Sequence, residues 1–104
     1  MSDDELYEYL GQMFEWNRVK AMKNAMKHGV RFTEAVTVLW DADALTQFDE
    51  GHSELEERYT VVGRSLHSRT LFVVHLVKEQ RIRIISARPA TPGERRDYEA
   101  QLGR

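Results

Sequence analysis

The chain has no cysteine among its 104 residues. That excludes a disulfide framework and a thiolate metal centre. It has no apolar run of about 18 residues, the length that marks a membrane span. It has no internal repeat, no low-complexity tract, no glycine-rich phosphate loop, no nucleophile elbow and no Ser/His/Asp set that can be placed. Its four histidines, His28, His52, His67 and His75, lack the spacing of metal ligands, so neither a metal site nor a cofactor is expected. The opening Met1-Ser-Asp-Asp-Glu5 is acidic where a signal peptide is basic and then apolar. These absences point to a single cytoplasmic domain with one core.

What the chain does have is charge, sorted by position. The net charge of −2 conceals four acids and no base in residues 1–10, and five bases and no acid in residues 17–33. Seven acids and no base follow in residues 41–57, then nine bases and two acids in residues 58–96. Such sorting gives one molecule a basic face and an acidic face, and the basic face suits phosphate.

Secondary structure follows from periodicity. Residues 1–13 read as an N-terminal extension, with Leu6, Tyr7, Tyr9, Leu10 and Met13 near helical spacing, ahead of a domain at 14–104. Phe14-Glu-Trp16 reads as a short strand. Asn17 is the expected N-cap of a helix to His28, with Val19, Met22 and Met26 as its apolar stripe and Gly29 as its left-handed C-cap. Thr33 is the expected cap of a second helix that buries Ala35, Val36, Leu39 and Trp40. Leu45–Phe48 reads as an edge strand, and residues 49–54, including His52, as a loop. Three strands then follow, at 58–64, 70–77 and 81–88, joined as antiparallel hairpins with 70–77 central. Thr91-Pro-Gly-Glu94 is a capping box that opens a last helix anchored by Tyr98 and Leu102. The expected fold is α+β: a small antiparallel sheet of about four strands, two N-terminal helices and one C-terminal helix.

The chemistry concentrates in Arg81-Ile-Arg-Ile-Ile-Ser-Ala-Arg88. Strand alternation places Arg81 and Arg83 on one face and Ile82 and Ile84 on the other. Guanidinium groups bind phosphate through two parallel hydrogen bonds, and on a rigid strand they would stabilise the extra charge of a phosphorane. Arg64, at the end of an earlier strand, is expected to join them. The competing expectation is that each arginine pairs with Glu54, Glu56, Glu57 or Glu94. His75 becomes the general acid or base if its face is the arginine face, and otherwise is a packed strand histidine. Glu57 is a candidate base or an ion-pair partner. Lys20, Lys23 and Lys27 form a helical stripe that would track a nucleic-acid backbone or be solvated. His28 sits in the last helical turn, where a cation is favoured.

The motifs taken together carry a resemblance. Phe14-Glu-Trp16, Lys20, Asn24, Lys27-His-Gly-Val30, Phe32 and Glu34-Ala35 are similar to the opening of the BrnT toxins. Asp49, His52-Ser53, Glu56-Glu-Arg-Tyr59, Gly63-Arg-Ser65, Val73-Val74, Arg81 to Arg88, Ala90-Thr91 and Glu94-Arg95-Arg96 continue it, in order and spacing, over about residues 14–99. The resemblance implies a RelE-like ribonuclease toxin of a type II toxin–antitoxin pair. Such a toxin cleaves RNA without a metal and arrests translation. Its partner would be a BrnA-like ribbon-helix-helix antitoxin, through which alone it meets DNA. Matching the pattern residue by residue marks Lys20, Lys27, His28, Arg64, Arg81, Arg83 and Arg88, with Glu57 as the acid. Chemistry then divides the candidates. Arg64, Arg81, Arg83, Glu57 and His75 are the catalytic set, and Lys20, Lys23, Lys27, His28 and Arg88 are the RNA-binding set. The chain departs from the pattern at Leu76-Val77, where relatives often carry a polar pair ending in an acid. That departure leaves an alternative: a non-catalytic homologue that binds an antitoxin and acts only as co-repressor.

Overall fold

A computed structural model describes residues 3–50 and 56–103. The loop expected at 49–54, with His52, lies largely outside them. The elements run β1 (Asp4–Tyr9), β2 (Gln12–Asn17), α1 (Arg18–His28), α2 (Phe32–Val38), β3 (Leu45–Phe48), β4 (Glu57–Arg64), β5 (Thr70–Val77), β6 (Ile82–Pro89) and α3 (Pro92–Leu102). Among the described residues no helix is long and apolar enough to cross a membrane.

The α+β class holds, but the sheet has six strands in the order β1-β2-β6-β5-β4-β3. β3, β4, β5 and β6 form the expected antiparallel series, with β5 internal and β3 at an edge. The fully antiparallel expectation fails at one junction, because β2 pairs parallel to β6 through Phe14↔Ile82 and Glu15↔Arg83. Residues 4–9 are a strand rather than a helix, so the two helices follow a hairpin instead of opening the fold. The physical reason lies at Leu10 and Gly11, whose φ angles of 50° and 85° make a two-residue turn with both central residues left-handed. That turn matches the right-handed twist of a hairpin. Tyr7 and Tyr9 then alternate onto the core, and Tyr9 meets Trp40 edge to face.

One face of the sheet packs against α1 and α2. Its core holds Phe14, Trp16, Val30, Phe32, Ala35, Val36, Val38, Val61, Leu71, Val73, Ile84 and Ala87. The other face meets α3 over Val62, Phe72, Ala90 and Tyr98 and, among the described residues, carries no further helix. α3 keeps its capping box, and Tyr98 is buried as expected, but Leu102 is exposed. α2 begins at Phe32 behind Arg31 rather than at a Thr33 cap, and ends at Val38, leaving Trp40 part-exposed.

α1 is capped by Asn17 and Gly29 as expected, but the expected apolar stripe is not its buried side. Ala21 packs on the core cluster, with Asn24, Ala25 and His28 half-buried beside it, while Val19, Met22 and Met26 are exposed. The cause is Asn24. β2 turns away into α1, so the upper half of β6 has no strand beside it on that edge. Asn24 fills the gap. Its Nδ2 donates to the carbonyl of Ala87 at 2.8 Å and its Oδ1 accepts from the Ala87 N–H at 3.2 Å. A third bond reaches the Val30 carbonyl at 3.0 Å. Because Ala87 is fully buried, removing this clamp strands a donor and an acceptor. Asn24→Ala is therefore expected to lower unfolding free energy by about 2 kcal/mol in urea titration, with little change for Lys23→Ala beside it.

A candidate phosphate-binding face on the open side of the sheet

The core of the open face is built by a buried carboxylate. Phe14 and Trp16 point into the core, so alternation turns Glu15 to the opposite side. There its carboxylate accepts from Arg83 Nη1 at 2.8 Å, Arg81 Nη1 at 3.3 Å and Lys78 Nζ at 3.4 Å. Asp4 of β1 accepts two further bonds from the Arg83 fork, at 3.0 and 3.1 Å. Three cations thus meet two carboxylates. Burial alone would raise the Glu15 carboxyl, but hydrogen bonds from Arg83 and Arg81, with the Lys78 charge, hold it below its ordinary value. Asp4 is likewise held down, first by its bonds to Arg83.

A β-bulge extends this face along β6. The register passes from Val74↔Ser86 to His75↔Ile84, leaving Ile85 as the extra residue. Strict alternation would put Arg83 and Arg88, five apart, on opposite faces. With the bulge they share one, and Ile84 and Ala87 share the core face. Arg88 lies over the Phe72 ring at 4.1 Å and makes a two-pronged pair with Glu94 at 2.8 and 2.9 Å. Arg58 sits in the cross-strand row Arg58–Leu76–Arg83–Glu15. Among the described residues its Nε is buried without a hydrogen-bond partner, 3.6 Å from Asp49. Arg81 and Arg83 pair with Glu15 and Asp4 rather than with Glu56 or Glu57, Arg88 does pair with Glu94, and Glu54 lies outside the described residues.

The expected catalytic set does not assemble as one group. Arg81 and Arg83 share a face and a carboxylate, as alternation required. Arg64 is at the far end of β4, with β5 between it and β6, and its backbone N–H donates to Asp41. His75 and Glu57 alternate onto the α1/α2 side. His75 is 5% exposed, stacks on Tyr59 at 5.8 Å, and Tyr59 donates weakly to Glu57 at 3.4 Å. A groove of about 670 Å³ at that strand end, lined by Glu56, Glu57, Leu76, Val77, Lys78 and Glu79, joins Glu57 to the cation cluster through Lys78. Lys20, Lys23, Lys27 and His28 sit on α1, on the opposite side of the sheet from Arg81 and Arg83. Sequence reasoning missed Glu15, Asp4, Lys78 and Arg58. For Glu15 the signal was present as a lone carboxylate alternating with two aromatics. Among the described residues, no three His, Cys, Asp or Glu are grouped to hold a metal ion.

These features define a small α+β protein that presents a carboxylate-organised guanidinium cluster on the open face of a mixed sheet. A sequence model described as "Ribonuclease toxin, BrnT, of type II toxin-antitoxin system" matches residues 16–94, most of the chain, and the protein belongs to that family. It is therefore a ribonuclease toxin of a type II toxin–antitoxin system, with RNA as substrate and a protein antitoxin as partner. No curated protein matches the sequence. The match begins at Trp16, so β1, Phe14 and Glu15 stand outside it.

Burial depresses the His75 imidazole from its ordinary 6.5 to about 4. The folded state therefore holds it neutral while the unfolded chain takes up a proton below pH 6.5. Stability is full above that pH and falls as pH drops toward 4, by up to about 3 kcal/mol. Between pH 6.5 and 4.5 this loss precedes that of the ion-paired carboxylates. Urea denaturation across that window should show the slope in the native chain and its disappearance in His75→Phe, which keeps the stack on Tyr59.

Proposed function

We propose that this toxin is a metal-independent endoribonuclease that reads the RNA backbone on the open face and thereby inhibits translation. The observation that carries it is the convergence of Arg81, Arg83 and Lys78 on one buried carboxylate. Such a cluster is held rigid before substrate arrives, and preorganised charge is what a phosphorane transition state needs. In the proposed reaction a base removes the 2′-hydroxyl proton and the oxygen attacks the adjacent phosphorus. Arg81, Arg83 and Lys78 stabilise the pentacoordinate state. The bond to the 5′-oxygen then breaks, and that oxygen takes up a proton. Glu57 alternates away from the arginines, but it ends its strand at a groove that Lys78 also lines, and it is the carboxylate we assign as base. His75, buried and facing away, has no part in contact with RNA. Arg88 continues the phosphate track toward α3. We also assign the partner as a BrnA-like ribbon-helix-helix antitoxin, the fold group as RelE-like, the compartment as cytoplasmic, and residues 1–13 as an extension of the toxin domain at 14–104.

A second reading, the non-catalytic co-repressor, has one observation in its favour. Arg83 and Arg88 already hold carboxylates in the two-pronged geometry a phosphate would take. One experiment separates the two. Purified protein is incubated with labelled RNA with and without EDTA, beside the Arg81→Ala/Arg83→Ala double variant. Cleavage that is indifferent to EDTA and falls at least about 100-fold in the double variant supports the nuclease. In cells, the same variant should relieve growth arrest. Folded wild-type protein that leaves RNA intact would favour the co-repressor, and cleavage lost with EDTA would overturn metal independence.

A further inference from the structure

Among the described residues nothing buries the apolar stripe of α1. No residue of this helix is fully buried, and Met22 and Met26 are 58% and 82% exposed, with Val19 exposed beside them. In a surface helix the apolar stripe ordinarily meets the core. Here the Asn24 clamp fixes the helix about its axis and turns that stripe outward. Beside it runs a groove of about 620 Å³ between α1 and α2, lined chiefly by Trp16, Ala21, Met22, Ala25, Met26 and Phe32. Its size and apolar walls suit the knobs of an incoming helix. Methionine is the side chain that adapts best to such a partner.

Charge selects the partner. Residues 17–33 contain no acid. At 100° per residue, Lys23 and Lys27 lie one step beyond Met22 and Met26, along the outer flank of the stripe, while Arg31 lines the groove itself. Glu5 also lines it, but accepts from Trp16 Nε1 at 2.9 Å. The surface is an apolar channel with a cationic border. We propose that it is the docking site of an amphipathic helix with acidic flanks, supplied by the protein antitoxin. This inference rests on the protein-partner part of the reading above and not on its chemistry. RNA fits the surface less well, since its lysines border an apolar channel and stand on the far side of the sheet from Arg81 and Arg83. A second copy docking through the same helix would set lysine stripe against lysine stripe.

The test uses a displayed library of helical peptides with fixed leucines at i, i+4 and i+7 and flanks randomised among Glu, Gln and Lys. Selection on the full chain should enrich Glu at the flanks. The selected peptide should bind Met22→Glu/Met26→Glu at least about tenfold more weakly. Both side chains are exposed, so that variant should keep its urea midpoint, and its RNA cleavage should match the wild type. An RNA oligonucleotide should not compete. Enrichment of Lys flanks, no enrichment, binding untouched by the double variant, or displacement by RNA would each overturn the proposal. So would a chain whose Met22 and Met26 methyl resonances move on dilution alone, which would make a second copy the occupant. Loss of cleavage in wild-type protein would sink the nuclease reading and leave this one standing.

Discussion

The buried carboxylate of Glu15 is the constraint on which the open face depends. A carboxylate out of water is costly unless it is paired and hydrogen-bonded. Glu15 meets that condition only if β2 lies beside β6 in the observed register, with Glu15 opposite Arg83. A slip of one residue would drive the carboxylate into the core and bring Phe14 and Trp16 out. The parallel junction has only two residue pairs, so the ion cluster and the two aromatics fix what backbone pairing alone would leave loosely specified. The gain is in uniqueness of register more than in net stability, since buried ion pairs often do no better than apolar replacements.

This explains which parts of the fold were legible. β4, β5 and β6 are joined by short connections, and their alternation could be read locally. The capping box of α3 and the Asn17 and Gly29 caps of α1 are likewise local signals, and all stand in the structure. The β2–β6 pair is separated by more than sixty residues and is parallel, so no local pattern announces it. Leu10-Gly11 is a turn whose left-handed leucine is unusual, and without it Leu6 to Met13 fits a helix as well as a strand. The orientation of α1 was missed for a different reason. Three apolar residues at helical spacing ordinarily mark the buried side, but one asparagine bonding both backbone groups of Ala87 outweighed them.

The site was legible in part. Arg81 and Arg83 on one face is a statement about alternation and needs no tertiary information. Arg88 on that same face needs the bulge at Ile85, which no residue in the Ile-Ile-Ser-Ala run signals. His75 and Glu57 were separable from the arginines only once the pairing Arg58–Leu76–Arg83 fixed which side of β4 and β5 faces outward. The sorting of charge along the sequence became a sorting between sides of the sheet. The arginines of β6 stand on the open side and the lysines of α1 on the helical side, so one basic surface in the sequence is two surfaces in space.

Within the open face the arginines are not equivalent. The Arg83 side chain is 20% exposed, and its fork is filled by Asp4 and bonded to Glu15. Arg81 gives Glu15 a single longer bond, and its side chain is 51% exposed. In the proposed reading a phosphate arriving from solvent would therefore meet Arg81 and Lys78 first, without breaking a two-pronged pair. To reach Arg83 it must displace the Asp4 carboxylate, a trade of one doubly bonded anion for another. Asp4 lies outside the residues the family model matches, on the edge strand β1. Arg83 thus ties β1 and β2 to β6 through Asp4 and Glu15, and its fork becomes available to a phosphate on the open face only as Asp4 gives way.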